Sequence, residues 1–276
     1  IEHPLLGDNG EIWFGSNHSF GQLDACSKNY VKIKNNVHHS LEFGDDSTIW
    51  TSGKLEPKSV ELGSRIFNDH SILNVTKEGT KLFEKSITQI LIDNGLRHLI
   101  VGTGSVNDDP IHANDVEPVF EDGKHWKKGD LFVSIRHQSL VFLYRPSENK
   151  VVWFQQGPWI HQHDVNIIDE NTISVFDNNA PTAHVSTWVV DGNNRIAVYD
   201  FERDKISFVY EDVMQKLDIR TPTQGRARIL GNEIFVEETD YGRLLSFSQN
   251  KNLNWEYVNR ADDGHVYVLK WSRLID

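Results

Sequence analysis

Asp130-Leu-Phe-Val-Ser-Ile-Arg136, Ser139-Leu-Val-Phe-Leu-Tyr144 and Lys150-Val-Val-Trp-Phe-Gln155 are three short runs rich in Val, Ile, Leu and aromatic residues. Polar turns separate them, Pro146-Ser-Glu-Asn149 being the clearest. Side chains of these types fit a pleated surface, and runs of roughly 4–8 residues between Gly, Pro, Asn and Asp clusters read as strands. Three consecutive runs joined by tight turns predict an antiparallel meander.

The same order recurs along the chain. His112 to Gly157 makes the clearest unit, opened by a His-containing strand. A second starts at His163 and continues through Thr172-Ile-Ser-Val-Phe-Asp177, Arg195-Ile-Ala-Val-Tyr199 and Lys205-Ile-Ser-Phe-Val-Tyr210. A third runs from Gln224 to Tyr257, and an earlier one from His39 to Glu84. A period of roughly 40–50 residues with four strands per repeat is the signature of propeller blades.

Helical patterning is confined to Glu84–Gly95 and Glu211–Leu217, so the chain reads as all-β. The expectation is a single β-propeller domain over residues 1–276, with about five to six four-stranded blades. Residues 86–111 form a partly helical insertion between blades, and six blades would require strands hidden there. Gly10 to Asn36 reads as strands lacking a His-type first strand, and Gly264-His-Val-Tyr-Val-Leu-Lys-Trp271 as a lone strand. Joining the two completes a blade, so that the termini close the ring and cover sheet edges.

Bulk composition removes several functions. A formal charge of −12 does not suit a binder of phosphate backbones, which needs a clustered basic surface, so no nucleic acid is expected. No apolar run approaches the roughly 18 residues of a membrane-spanning helix. The single cysteine, Cys26, excludes an intrachain disulfide and a cysteine-based zinc site, and reads as a small residue in a strand. No signal peptide is visible behind Ile1-Glu-His-Pro4. With no initiator Met, a signal removed earlier places the protein in the periplasm or outside the cell, and otherwise it is cytoplasmic. A homo-oligomer stays open, and the sequons at Asn17 and Asn74 carry little weight.

Thirteen histidines exceed what packing asks of an acidic chain. His38, His39, His112 and His163 all precede or begin a first strand, and first strands line a propeller's channel. One histidine at such a place is explained by hydrogen bonding, but matched repeat positions point to a shared pocket. The local patterns are Ile111-His-Ala-Asn-Asp115, Ser134-Ile-Arg-His-Gln138, His161-Gln-His-Asp164 and Val175-Phe-Asp-Asn178.

In these motifs the chain resembles the bacterial aryl-sulfate sulfotransferases. They share a His-x-Asn motif, a Ser-x-Arg-His-Gln strand, and a Gln-His step before a strand bearing Asp-Asn, all within a propeller. The motif match covers roughly residues 38 to 180, and the remainder matches by blade pattern. The chain is shorter than those enzymes, which carry six blades and an extra N-terminal β domain.

The resemblance implies ping-pong sulfuryl transfer from an aryl sulfate to a phenol through a sulfated histidine, with no nucleotide donor, cofactor or metal. By residue, the nucleophile matches His163, the His-x-Asn pair His112 and Asn114, the arginine Arg136, and the remaining channel histidine His39 or His38. Asn114, His38, His137 and His161 are expected to contact substrate.

The residue types suit that chemistry independently. A neutral imidazole is a capable nucleophile, and a covalent intermediate divides one difficult transfer into two. Arg136 and Asn114 supply donors for sulfuryl oxygens, and His112 or His39 can move the phenolic proton.

Two other readings compete. His161, His163 and Asp164 with His112 are metal-ligand types, giving a metal-dependent hydrolase, which a neighbouring arginine disfavours. A noncatalytic binding propeller would use an aromatic rim such as Trp126, Trp153 and Trp159, although tryptophans at strand positions are more often core. Asp45-Asp46, Asp108-Asp109 and Asp262-Asp263 lack calcium-loop spacing and read as solvated turns.

Overall fold

Each run of alternating side chains pairs with the next one along the chain. The computed structural model describes residues 2–16, 19–28, 30–33, 37–45, 48–62, 67–101, 108–181 and 189–274. Asn17, Asp46 and positions 102–107 of the insertion lie outside the described residues. Among these residues there are five four-stranded sheets.

The first comprises β1 (Glu2–Leu6), β2 (Ile12–Ser16), β3 (Ser19–Leu23) and β4 (Tyr30–Ile33). The second comprises β5 (Val37–Phe43), β6 (Thr48–Lys54), β7 (His70–Thr76) and β8 (Lys81–Ser86). The third holds β9 (Ala113–Pro118), β10 (Leu131–Ile135), β11 (Leu140–Arg145) and β12 (Lys150–Gln156). The fourth holds β13 (His163–Ile167), β14 (Thr172–Asp177), β15 (Arg195–Asp200) and β16 (Lys205–Val209). The fifth holds β17 (Arg226–Leu230), β18 (Glu233–Glu238), β19 (Arg243–Ser248) and β20 (Leu253–Val258).

Every sheet is an antiparallel meander in sequence order, the architecture of a blade, and the chain is a five-bladed β-propeller. Helices are few: α1 (Ile87–Asp93), α2 (His98–Val101) and α3 (Glu211–Lys216). None is long and apolar enough to cross a membrane among the described residues.

Four expectations need correction. The first blade is complete within residues 2–33, and its first strand does carry a histidine, His3. Gly264–Trp271 is not a strand: Val266 makes one isolated bridge to Arg260, and Tyr267 and Val268 are exposed. Its alternation is real, but no ladder accepts it. Residues 84–86 end β8 rather than begin a helix, because Ser86 caps α1 by accepting from Gln89 N at 3.0 Å. Cys26 sits in an exposed turn, not a strand, where Asp24 Oδ1 accepts the amides of Cys26 and Lys28.

The chain divides into two compact units, 1–122 with 126–156 and 123–125 with 157–276. In the first, β5 lies beside both β1 and β9, so first strands are neighbours. β9 is mostly buried and β5 buried or half-buried, whereas the fourth strand β12 is half-buried or exposed. Leu5, Trp13, Phe20, Leu41 and Leu73 form one core, and Ile72, Ile90, Ile135 and Phe142 belong to a second that α1 covers. Trp126 is buried and Trp153 meets Phe132 edge-on, so both serve packing rather than a rim.

In the second unit β13 lies beside β17, and α3 contributes Val213 and Met214 to a core with Phe176, Ile234 and Leu245. Trp159 is buried there too. Repeated ion pairs close the hairpins between second and third strands. Asp177 faces Arg195 across the ladder, and Glu238 faces Arg243. Gly242, at φ 62°, ends the turn of the latter, and a Cβ there would collide with the Tyr267 carbonyl.

First strands are tied more deeply. Arg226 Nη2 meets Asp164 Oδ1 at 3.0 Å with both side chains 2% exposed. Asp164 Oδ2 also accepts from Ala227 N and Asn166 Nδ2. Arg226 further donates to Ser272 O and lies over the Trp271 ring, while Glu237 accepts the amides of Trp271 and Ser272.

Removing one partner of a buried ion pair typically costs about 3–5 kcal/mol, because the other charge remains without compensation. Asp164→Ala is therefore expected to lower unfolding free energy by about that amount in urea titrations. Arg226→Ala should cost a similar amount, and the double variant less than the sum. A loss under about 1 kcal/mol in each would mean the pair carries no such role.

Candidate functional site

The first strands share a local irregularity that decides where their polar side chains go. Pairing skips one residue on the first strand between Glu2 and Leu5, at Asn114 and at Asp164, and two, His39 and Ser40, between His38 and Leu41. Such bulges bend the strand and re-aim side chains. His3, His39, His112 and Asp164 adopt φ of 51°, 62°, 48° and 43° at or next to these points. Non-glycine residues held there carry strain that surrounding contacts must offset. β17 pairs with β18 without a break and starts with Arg226 instead of a histidine.

In the first unit this geometry gathers six imidazoles. Ring centroids lie 3.9 Å apart for His38 and His39, 5.0 Å for His39 and His112, and 4.5 Å for His112 and His137. His70, the first residue of β7, is 4.7 Å from His38, and His3 is 5.7 Å from His39.

One carboxylate organises them. Asp109 Oδ2 accepts from His112 Nδ1 at 2.5 Å, and Asp109 Oδ1 accepts from His70 Nε2 at 2.9 Å. Because Nδ1 of His112 holds the proton, its neutral ring presents a lone pair at Nε2. That nitrogen is 3.1 Å from His39 Nε2, which must then be the donor. On the other side, Arg136 Nη1 donates to His137 Nε2 at 2.9 Å, and His137 Nδ1 donates to the Asp109 carbonyl at 2.5 Å. Arg136 and Asn114 are buried, so their donors act in a dry environment.

The second unit fixes His163 in the same manner. Asn178 Nδ2 donates to the carbonyls of Thr221 and Gln224, which orients its Oδ1 as an acceptor. His163 Nδ1 donates to that oxygen at 2.7 Å, so the lone pair of this buried ring lies on Nε2. His161 donates from Nδ1 to the Ala180 carbonyl at 2.6 Å. Asp164 is engaged by Arg226, Asn166 and Ala227, which takes away the carboxylate of the competing metal reading.

Of the residues singled out by sequence, the first unit brings His38, His39, His112, Arg136 and His137 together, with Asn114 on the bulge beside His112. Sequence reasoning missed His3, His70 and Asp109. Asp109 was expected to be a solvated turn residue; it is instead the acceptor for two histidines. The signal was its position three residues before His112. His70 left no comparable trace, being on a third strand.

Residues 11–260 match the family model described as arylsulfotransferase (ASST). The chain belongs to that family. Membership makes it an arylsulfotransferase in general terms, a transferase on a propeller scaffold. No curated protein matches the chain.

Among solved structures, this arylsulfotransferase is similar to a protein of unknown function from Bacteroides caccae, at 11% identity and a TM-score of 0.60. The match covers 92% of this chain and 80% of that one. It is also similar to the Neurospora crassa Pan2 WD40 domain, at 10% identity and a TM-score of 0.51, over 90% of this chain and 61% of that one. Identities this low speak to fold alone.

Electrostatics keep the arylsulfotransferase cluster poor in protons. Burial pushes His38 down to about 2, helped by the nearby His70 and His112. Burial also lowers His112 to about 4 against the opposing pull of Asp109, and lowers His137. Burial alone would raise Asp109, yet hydrogen bonds from His112 and His70 hold it far below the carboxylate range.

Unfolded, each histidine takes a proton near pH 6.5; folded, His112 and His38 refuse it until about 4 and about 2. Stability is therefore full above pH 6.5 and falls as pH drops toward 4, by at most about 1.4 kcal/mol per pH unit for each group. Denaturant titrations from pH 7 to 4.5 should show this slope, and His112→Gln should remove about one proton's share of it. A stability flat over that range would contradict the neutral assignment.

Proposed function

We propose that this arylsulfotransferase moves a sulfuryl group from an aryl sulfate to a phenol through a sulfated His163. The observation that carries the reading is the hydrogen bond from His163 Nδ1 to Asn178, itself oriented by two carbonyls, because it leaves the Nε2 lone pair for attack on sulfur. In the first half-reaction the Nε2–S bond forms as the aryl S–O bond breaks, and the phenolate departs with the bonding electrons. In the second, the acceptor oxygen attacks sulfur and the Nε2 pair returns to the ring.

The remaining roles follow from chemistry and from the family resemblance. The first phenolate departs unprotonated; in the second half-reaction His112 or His39 accepts the proton of the attacking phenol and passes it on to solvent, and Asp109 stabilises His112 whenever it is cationic. Arg136 and Asn114 supply donors for the sulfuryl oxygens as charge builds on them. His38, His137 and His161 contact substrate.

The protein should release p-nitrophenol from p-nitrophenyl sulfate in the presence of phenol. His163→Ala should reduce release by at least about 1,000-fold, as loss of a covalent nucleophile does. Quenching wild type with donor alone should yield a peptide containing His163 heavier by one SO3 group. Undiminished turnover in His163→Ala would remove the nucleophile assignment; absence of release with any aryl sulfate would remove the reaction.

A further inference from the structure

The side of the imidazole cluster facing His39 has the donor set of a metal centre. One nitrogen each from His38, His39 and His112 lies within 4.8 Å of the others. The two Nε2 atoms of His39 and His112 are 3.1 Å apart. Tetrahedral zinc with nitrogen ligands at about 2.0–2.1 Å needs them about 3.3 Å from one another, so little movement separates the two arrangements.

Behind His112, Asp109 accepts its Nδ1 proton, the carboxylate–histidine arrangement that fixes a ligand's tautomer and raises its basicity. His70 Nε2 secures the other oxygen of Asp109. His38 Nδ1 and His70 Nδ1 are buried without hydrogen-bond partners among the described residues, so the pocket holds polar atoms its own contacts do not satisfy. Arg136, the nearby cation, is directed at His137, and the Asp109 carboxylate stands beside His112 to offset its repulsion. A second group, Asp109, His112 and His137, is less suited, since its nitrogens already donate to the carboxylate and the Asp109 carbonyl.

We infer that His38, His39 and His112 bind a divalent first-row cation of the zinc class, with Asp109 as the outer partner of His112 and one coordination position left open. His39 offers Nε2 by moving its proton to Nδ1. Imidazole donors favour zinc, copper, nickel or iron over magnesium and calcium. The inference concerns binding and does not require sulfuryl transfer. If that reaction holds, occupancy removes the Nε2 atoms of His39 and His112 from proton transfer.

Chelator-treated full chain titrated with Co2+ should develop the visible absorption of a low-symmetry four- or five-coordinate site at one equivalent, and Zn2+ should quench it. His38→Ala should abolish the band, and Asp109→Asn should weaken binding by roughly 10–100-fold, as outer-partner variants do. Circular dichroism establishes that each variant is folded, and Asp109→Asn serves if His38→Ala is not. No band with folded wild type, or a band unchanged in His38→Ala and Asp109→Asn, overturns the inference. Turnover of p-nitrophenyl sulfate by wild type should fall as Zn2+ saturates, and unaffected turnover would displace the cation from those nitrogens. A protein without that turnover still reports the site through Co2+.

Discussion

The constraint on which this protein depends is the break in the ladder of its first strands. A regular strand would alternate every side chain between two packed faces and leave no place for a histidine to meet another. One or two extra residues on four of the first strands, with a non-glycine residue at positive φ in or near each break, turn polar side chains out of the blade core. Such conformations cost of order 1–3 kcal/mol each. Offsetting contacts are visible beside them. Ser40 Oγ accepts from Val116 N, and Asp164 binds Arg226 and Ala227. The same feature that strains the backbone supplies both the cluster and the cross-strand ties.

Asp109 then converts a collection of rings into an ordered set. Imidazoles are symmetrical enough that crowding them leaves tautomers undetermined, and a carboxylate with two acceptor oxygens removes the ambiguity. Fixing His112 fixes His39, and Arg136 fixes His137 independently. In the second unit Asn178 performs this service for His163. Geometry and proton position, rather than charge on the rings, are what these contacts specify.

The fold was legible because blade order is written in local signals: strands of matched length, turns rich in Asn and Gly, and a repeat that places histidines at equivalent points. The misreadings have local causes. Gly264–Trp271 alternates like a strand, but no neighbouring ladder accepts it. β1 is short and contains Pro4, so His3 escaped notice. His112 and Arg136 stood out in motifs, and both belong to the imidazole cluster of the first unit. Asp109 did not, because an aspartate in a turn resembles any solvated one until the fold brings His70 beside it. His70 lies on a strand whose relation to the cluster depends on pairing across residues far apart in sequence.

The proton-locking network also bears on inheritance. His39, His70, His112 and His137 are linked through Asp109, so a change in any one leaves another with its proton misplaced or a buried atom unpaired. Such positions cannot drift one at a time. In descendants of this chain they should be kept as a block or lost as a block, and a lineage that has lost Asp109 should soon shed the histidines that lean on it.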